Sequence, residues 1–472
     1  MPAIHKKETR LKLQFVTNTD QSIHAGLVAV EAMARRFGLW KKVRQLSCLD
    51  PRKDRKRGYG PEVIIGQLIY ALCTGGGCLS DSEALNDDPL ALELFGVGKF
   101  ADQSQVGEWL REQSEESISA LRELLHEFVT WVWKEADPRR LLHAGQREVF
   151  FDDTQLEVSG KQFEGAAINY NGDLALSWQT LWAGPLLTDS HVGSPKDVSD
   201  QLLPMLARNR SLWHGKPAHF YADSGSSAGV YLNAIAAEDW HYTVSYNKWT
   251  GPLERTAEAL PASAWKQSDE AHHSFVRHQP EGCAAVHKFA VSRRRDGLFD
   301  RYGFIACDEE QNDAALVGER HHLKGEKEQL FSEVLNGLDL HRPPCSALRA
   351  NQVYYLIAAL AYNLMIAIKL LDLSDDCQSW RVKTLMKKMV MLPGRLSQRS
   401  RQWIAKVMVP GPWLCWWQRW AQRVWPEYGP GRPRVAAPAF KREPSLPTAT
   451  PGRSFLAMGR NRPKNSEHDG IR

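Results

Sequence analysis

Arg147-Glu148-Val149-Phe150-Phe151-Asp152-Asp153-Thr154 is the stretch that decides how this chain is read. Val149, Phe150 and Phe151 have the bulk and β-preference of a buried strand, and the run stops at two adjacent carboxylates. Acids at the mouth of a core strand must be hydrated, paired or bound to a cation, because isolated buried charge is costly. Taken alone, the same stretch also fits a strand ending in solvent, so the other acids of the chain decide between the two readings.

A second short strand, His219-Phe220-Tyr221-Ala222-Asp223, also ends in a carboxylate, and Trp240–Tyr246 reads as the next strand. Between the two Asp strands, Asp197–Ala207 reads as a helix burying Val198, Leu202, Leu203 and Leu206. Strands alternating with helices imply a mixed α/β sheet, whose ligands gather at strand ends, where Asp152 and Asp223 lie. Residues 248–300, rich in Pro, His and Arg, read as an inserted segment, mostly β or irregular. Beyond it, Lys324–Gly337 has helical periodicity with Leu330, Phe331, Val334 and Leu335 on the apolar face. Glu328 falls at the edge of that face, about 80° from its centre, while Glu326 and Glu333 point further into solvent.

The remaining chain supplies candidate DNA contacts. Net charge is only +5, yet ten Lys or Arg, Lys387 and Lys388 among them, lie between Cys377 and Pro426 without one Asp or Glu. Such segregation suits a polyanion. The Trp residues of this block, Trp403 to Trp425, read as core or subunit interface. Near the N-terminus, short helices are followed by Ser104 as an N-cap, then Gln105 and Arg111, a pattern fitting either a helix-turn-helix DNA reader or an ordinary helical bundle. Asp137–Arg140 reads as a linker.

Composition closes off other classes. Eight scattered cysteines with no Cys-x-x-Cys pair argue against a disulfide framework or structural zinc, and His272/His273 and His321/His322 read as surface pairs. Val353–Leu371, interrupted by Asn363 and Lys369, reads as a buried helix rather than a membrane span. The N-terminus lacks the apolar core of a secretory signal, so a cytoplasmic protein is expected. After Trp425, Pro, Gly and Arg dominate, and a disordered tail is expected.

In this order the motifs resemble the DDE transposases of bacterial insertion sequences, most closely the family numbered thirteen-eighty within the wider insertion-sequence-four group. Phe150–Thr154 is similar to that family's strand ending in Asp-(Ser/Asp)-Thr, Lys161–Gly165 to its Gly-x-Gln-Glu-Gly segment, and Tyr221–Gly225 to its second Asp motif. Glu328–Glu333 is similar to the block carrying its catalytic Glu, and Ala350-Asn351-Gln352 and Ala361–Leu364 match the helix behind it. The wider group also has a Tyr-two-Arg-three-Glu-six-Lys pattern, whose other positions here hold His321, Lys324 and Leu335.

The resemblance implies that Asp152, Asp223 and Glu328 are catalytic and ligate two Mg²⁺ ions, with Mn²⁺ able to substitute. Asp153 is the alternative to Asp152, since neighbours on a strand point to opposite faces. Lys324, Lys327 and His321 are left as phosphate contacts. The implied fold class is α/β: an RNase H-like mixed-sheet catalytic core over 141–375, with the insertion at about 248–300, preceded by an all-helical DNA-binding domain over 1–140. A basic, Trp-rich helical region over 376–428 and the tail over 429–472 follow. The implied activity is cut-and-paste transposition by a transposase that binds terminal inverted repeats, cleaves them with Mg²⁺ and transfers the strands. Its partners are then double-stranded DNA, as transposon ends and target, and a second copy of itself in a dimer on DNA at the nucleoid, with no membrane. An RNase H-like nuclease without strand transfer and an inactive DNA-binding protein are the competing readings.

Overall fold

The computed structural model describes residues 20–160, 162–247, 250–268, 271–297, 299–399 and 402–424, with the side chains of 326–329 and 402 outside that description. The expected tail therefore lies outside the described residues, as does Lys161 of the Lys161–Gly165 motif. After the short strand β1 (Gln21–Ser22) come α1 (Leu27–Phe37), α2 (Leu39–Gln45), α3 (Pro61–Cys73), α4 (Pro89–Phe95), α5 (Gln103–Arg111) and α6 (Glu115–Glu135). Helix α3 opens on Pro61 and is buried along its whole length, as its unbroken apolar run dictates. The cap of α5 is Asp102, not Ser104. The Asp102 carboxylate accepts the Gln105 N–H at 2.9 Å, and the Gln105 side chain accepts the Asp102 N–H at 3.2 Å, so two otherwise orphaned donors are satisfied at once.

From residue 147 the period changes to that of strands. In order come β2 (Arg147–Glu157), β3 (Ala167–Ile168), β4 (Leu174–Ala183), β5 (Leu186–Gly193), α7 (Leu202–Asn209), β6 (Ala218–Ala222), α8 (Gly229–Ala236) and β7 (His241–Tyr246). They are followed by α9 (Gly251–Glu258), β8 (Lys266–Ser268), β9 (Ala271–His278), β10 (His287–Asp296) and β11 (Phe299–Cys307). One sheet unites them in the order β3-β4-β2-β6-β7-β11-β10-β9-β8, with β5 also on β4. Strand β4 runs antiparallel to both of its neighbours β5 and β2, whereas β2, β6 and β7 are parallel. The segment after residue 248 thus extends the main sheet through antiparallel strands and also contains a helix, α9. Helix α7 begins at Leu202 rather than Asp197. Val198 is 48% exposed, and Met205 takes the buried place expected of it.

Two long helices cover the sheet: α10 (Ala314–Gly337), capped by Asp313 and so starting well before Lys324, and α11 (Leu348–Ala367). The segment Leu348–Asp372 is long and apolar enough to cross a membrane, but 94% of its apolar window is buried, with α11 packed between β5 and helices α3, α5 and α6. It joins the N-terminal helices and the sheet in one continuous apolar core. Side-chain amides of α11 also seal the sheet edge. Asn363 donates to the Leu187 carbonyl at 2.7 Å and accepts its N–H at 3.0 Å, and Gln352 donates to the Val192 carbonyl at 2.9 Å. An edge strand otherwise presents unpaired backbone groups. Asn363→Ala is therefore expected to destabilise the protein by about 2–4 kcal/mol, two buried backbone groups losing their partners, as measured by urea unfolding.

The region read as helical after residue 376 is not purely so. It comprises α12 (Val382–Leu385), the hairpin β12 (Gly394–Arg399) and β13 (Gln402–Val407), and α13 (Leu414–Val424). Strand β12 pairs with β1, tying this region to the start of the described chain. Trp417 and Trp420 are buried, while Trp403 is exposed.

Candidate metal centre

Strand β2 does not end at its two acids. It continues to Glu157, with Asp152 opposite Thr180 and Asp153 opposite Gln179 on β4. What ends there is the parallel pairing with β6, whose last pair sets Phe150 of β2 opposite Tyr221 of β6. The two strands part at this point, and Asp223, the residue after β6, turns away by accepting the Gly225 N–H at 2.9 Å. The acids thus stand in the cleft where parallel strands separate, the position at which open α/β sheets bind ligands.

One carboxylate oxygen from each of Asp152, Asp153 and Asp223 lies within 4.8 Å of the others. Strand alternation does not part Asp152 from Asp153 as expected, because in an unbroken register both still border the same cavity. An Asp152 oxygen accepts the Asp153 N–H at 3.1 Å, and Asp153 accepts the Ser177 hydroxyl from β4 at 3.3 Å. The cavity, about 410 Å³, is closed on its other side by Lys324, Phe331, Ser332, Leu335 and Asn336 of α10.

Among the described residues, three acids here face one cation. Lys324 is buried with its Nζ 3.8 Å from an Asp152 oxygen. Burial pushes the Asp152 carboxyl up to about 7; Lys324 opposes this, and the neighbouring charges of Asp223 and Asp153 add to it. Burial and then Asp223 raise Asp153 as well. Clustered hard oxygen donors with surplus negative charge fit a hard divalent cation such as Mg²⁺ or Mn²⁺.

The same strain makes a stability prediction. Folded Asp152 keeps its proton up to about pH 7, whereas an unfolded Asp releases it near 3.9. The folded state holds more protons in that window, so the group's contribution to stability is complete below about pH 4 and is lost as pH rises through about 7. Asp152→Asn is expected to stabilise the metal-free protein at pH 8, by at most about 4 kcal/mol and with a higher melting temperature, and to flatten the fall in stability between pH 5 and 8. Differential scanning fluorimetry in EDTA measures both.

Residues 5–413 match the family described as Transposase DDE domain group 1. The chain belongs to that family. No curated protein matches it. Membership implies a transposition enzyme with DNA as substrate, in a family that usually uses divalent metals, and the carboxylate cluster of this transposase suits that use.

Not every residue singled out from the sequence of this transposase joins the cluster. The backbone of Glu328 and Lys327 lies in α10, while their side chains are outside the described residues. His321 is buried rather than superficial. Its Nε2 is 2.7 Å from the Ser245 hydroxyl, and burial, with Lys324 and His322 adding, pulls its pKa down to about 4, so it is neutral and turned to the sheet. Ser104, Gln105 and Arg111 are exposed on α5 and do not border the cavity. Lys387 is exposed, but Lys388 is held 4.2 Å and 4.4 Å from the Trp380 and Trp416 ring centres. Ser177 was not legible as a partner of Asp153, because cross-strand register leaves no mark in a single sequence.

Proposed function

We propose that the protein is the transposase of a bacterial insertion sequence, of the thirteen-eighty family within the insertion-sequence-four group. It binds the terminal inverted repeats and carries out cut-and-paste transposition with two Mg²⁺ ions. The observation that carries this reading is the meeting of three carboxylates within 4.8 Å where β2 and β6 part. Two further features support it. The run β5-β4-β2-β6-β7, antiparallel and then parallel, is the arrangement expected of an RNase H-like core. On α10, residues 324, 331, 332 and 335 border the cavity, and positions three and four apart share a helical face, a spacing that supports assigning Glu328 to the site.

Asp152, Asp223 and Glu328 would hold the ions. When bound, two such ions stabilise the attacking and leaving oxygens of an in-line displacement at phosphorus. In the first step the oxygen of water bonds to phosphorus as the P–O3′ bond breaks, freeing a 3′-hydroxyl. In the second, that hydroxyl loses its proton and bonds to a target phosphorus while the target's P–O3′ bond breaks. Lys324, buried beside Asp152, supplies positive charge next to the reacting phosphate. The protein works as a dimer on transposon ends and target DNA, in the cytoplasm at the nucleoid.

Incubation of the full-length protein with Mg²⁺ and duplexes carrying the repeats that flank its coding sequence tests the reading. Cleavage followed by joining is expected. Cleavage alone would make it a nuclease, and a shifted band without cleavage an inactive DNA-binding protein.

A further inference from the structure

Strands β10 and β11 pair from Lys288 opposite Cys307 to Asp296 opposite Phe299. Their neighbours are shorter: β7 covers β11 only over Phe304–Cys307, and β9 covers β10 only as far as Arg293. The distal half of the hairpin therefore projects beyond the sheet. Because β11 is antiparallel to β7, and β7 is parallel to β6, it projects at the end where Asp223 follows β6.

One face of this projection has an unusual charge arrangement. Ser292 stands opposite Gly303 and Arg294 opposite Arg301. Like charges directly opposite each other destabilise a strand pair. Arg293 is occupied over the Trp265 ring, Arg295 pairs with Asp300 and Arg301 with Asp296, whereas exposed Arg294 has no ion-pair partner among the described residues. Helix α10 packs along this same face, with Ala314 and Val317 against Ala290 and Cys307. Further along the helix, His322 borders an open cavity of about 430 Å³ whose other walls include Ser292, Arg294, Arg295, Arg301, Tyr302 and the one carboxylate among them, Asp296, already paired with Arg301. Gly303 keeps its floor open, since a Cβ there would stand 2.8 Å from the Ser292 hydroxyl.

The cavity and the carboxylate centre share a helix: His322 borders one and Lys324 the other. Across the sheet, β10 lies four strand spacings from β2, about 19 Å at ~4.8 Å per spacing. A DNA strand rising about 3.4 Å per nucleotide covers that distance in roughly five to six nucleotides. We propose that the cavity between the β10–β11 hairpin and α10 is a subsite for a backbone phosphate of the bound DNA strand, roughly five to six nucleotides from the bond being cut. The phosphate would sit between Arg294 and Arg301 and relieve their repulsion. This rests on the function proposed above.

The test is the salt dependence of binding of a labelled duplex by the full-length protein between 50 and 200 mM KCl. The double variant R294A/R301A is expected to bind more weakly, with a log–log slope shallower by about one, one phosphate contact being worth ~0.9. Lysine at both positions should restore the slope. Arg277→Ala, which removes an exposed charge paired with Glu309 near the opposite end of β10, should leave it unchanged. R294A/R301A is expected to melt close to the wild-type temperature, since loss of the exposed Arg301–Asp296 pair offsets the relief of the like-charge repulsion. Phosphate ethylation should interfere with wild-type binding roughly five to six nucleotides from the mapped cleavage, and not with the double variant. A wild-type slope in R294A/R301A, or no interference near that position, overturns the subsite and leaves the proposed function standing. A wild-type protein that neither binds nor cleaves duplex overturns both.

Discussion

Asp152→Asn is expected to lower Mg²⁺-dependent strand cleavage by more than about a hundredfold, exceeding the ~10–100-fold typical of groups that only support a metal ligand. Duplex binding in EDTA should be little changed, because most affinity for DNA comes from cations meeting phosphates, and this substitution removes a negative charge. The expectation follows from where Asp152 stands. It is half-buried, faces Lys324 at 3.8 Å, and shares a space less than 5 Å across with Asp153 and Asp223. An amide keeps its volume but loses the charge that a divalent cation needs. Parallel assays of Asp153→Asn and Asp223→Asn sort the cluster. Asp223→Asn should match Asp152→Asn, whereas Asp153, already accepting the Ser177 hydroxyl, should retain measurable cleavage. If Asp152→Asn cleaves at the wild-type rate while Asp153→Asn is dead, the two neighbours have been assigned in the wrong order. The same variant should melt higher without metal, as argued above, so lost cleavage together with gained stability separates a missing ligand from a damaged fold.

Glu328→Gln is expected to cause a comparable loss of cleavage, also with DNA binding kept. Helical spacing supplies the argument: Lys324 is four residues before position 328, and Phe331 and Ser332 are three and four after it, and all three border the carboxylate cavity. Glu333 is the internal control. It is engaged by Arg381 at 3.9 Å and does not border the cavity, so Glu333→Gln should cleave normally. Normal cleavage by Glu328→Gln would remove Glu328 from the site and leave the three aspartates as the acids to consider.

Several features were legible because they are local. The bulk of Val149–Phe151, the apolar run of α3 and the long apolar core helix α11 each announce burial through composition and period alone. Cap identity was less so. Asp102 and Ser104 are both good caps on paper, and only the reciprocal bond with Gln105 decides between them. His321 shows the same limit, since polarity suggested a surface group while α10 starts early enough to press it onto Ser245. The β12–β13 hairpin was missed because its stability depends on pairing with β1, several hundred residues earlier in the chain.

The sequence by itself determined the types and order of the elements around the site: a strand carrying Asp152 and Asp153, a strand ending at Asp223, and a helix carrying Glu328. Periodicity and residue chemistry are properties of neighbours along the chain, so they survive in one dimension. Only the tertiary structure decided that β2 runs past its acids, that β6 leaves it at Phe150, and that both neighbouring carboxylates reach the same cleft beside Lys324. Those outcomes depend on strand register and on helix packing across the sheet, which are settled by the summed burial and pairing of residues far apart in the chain.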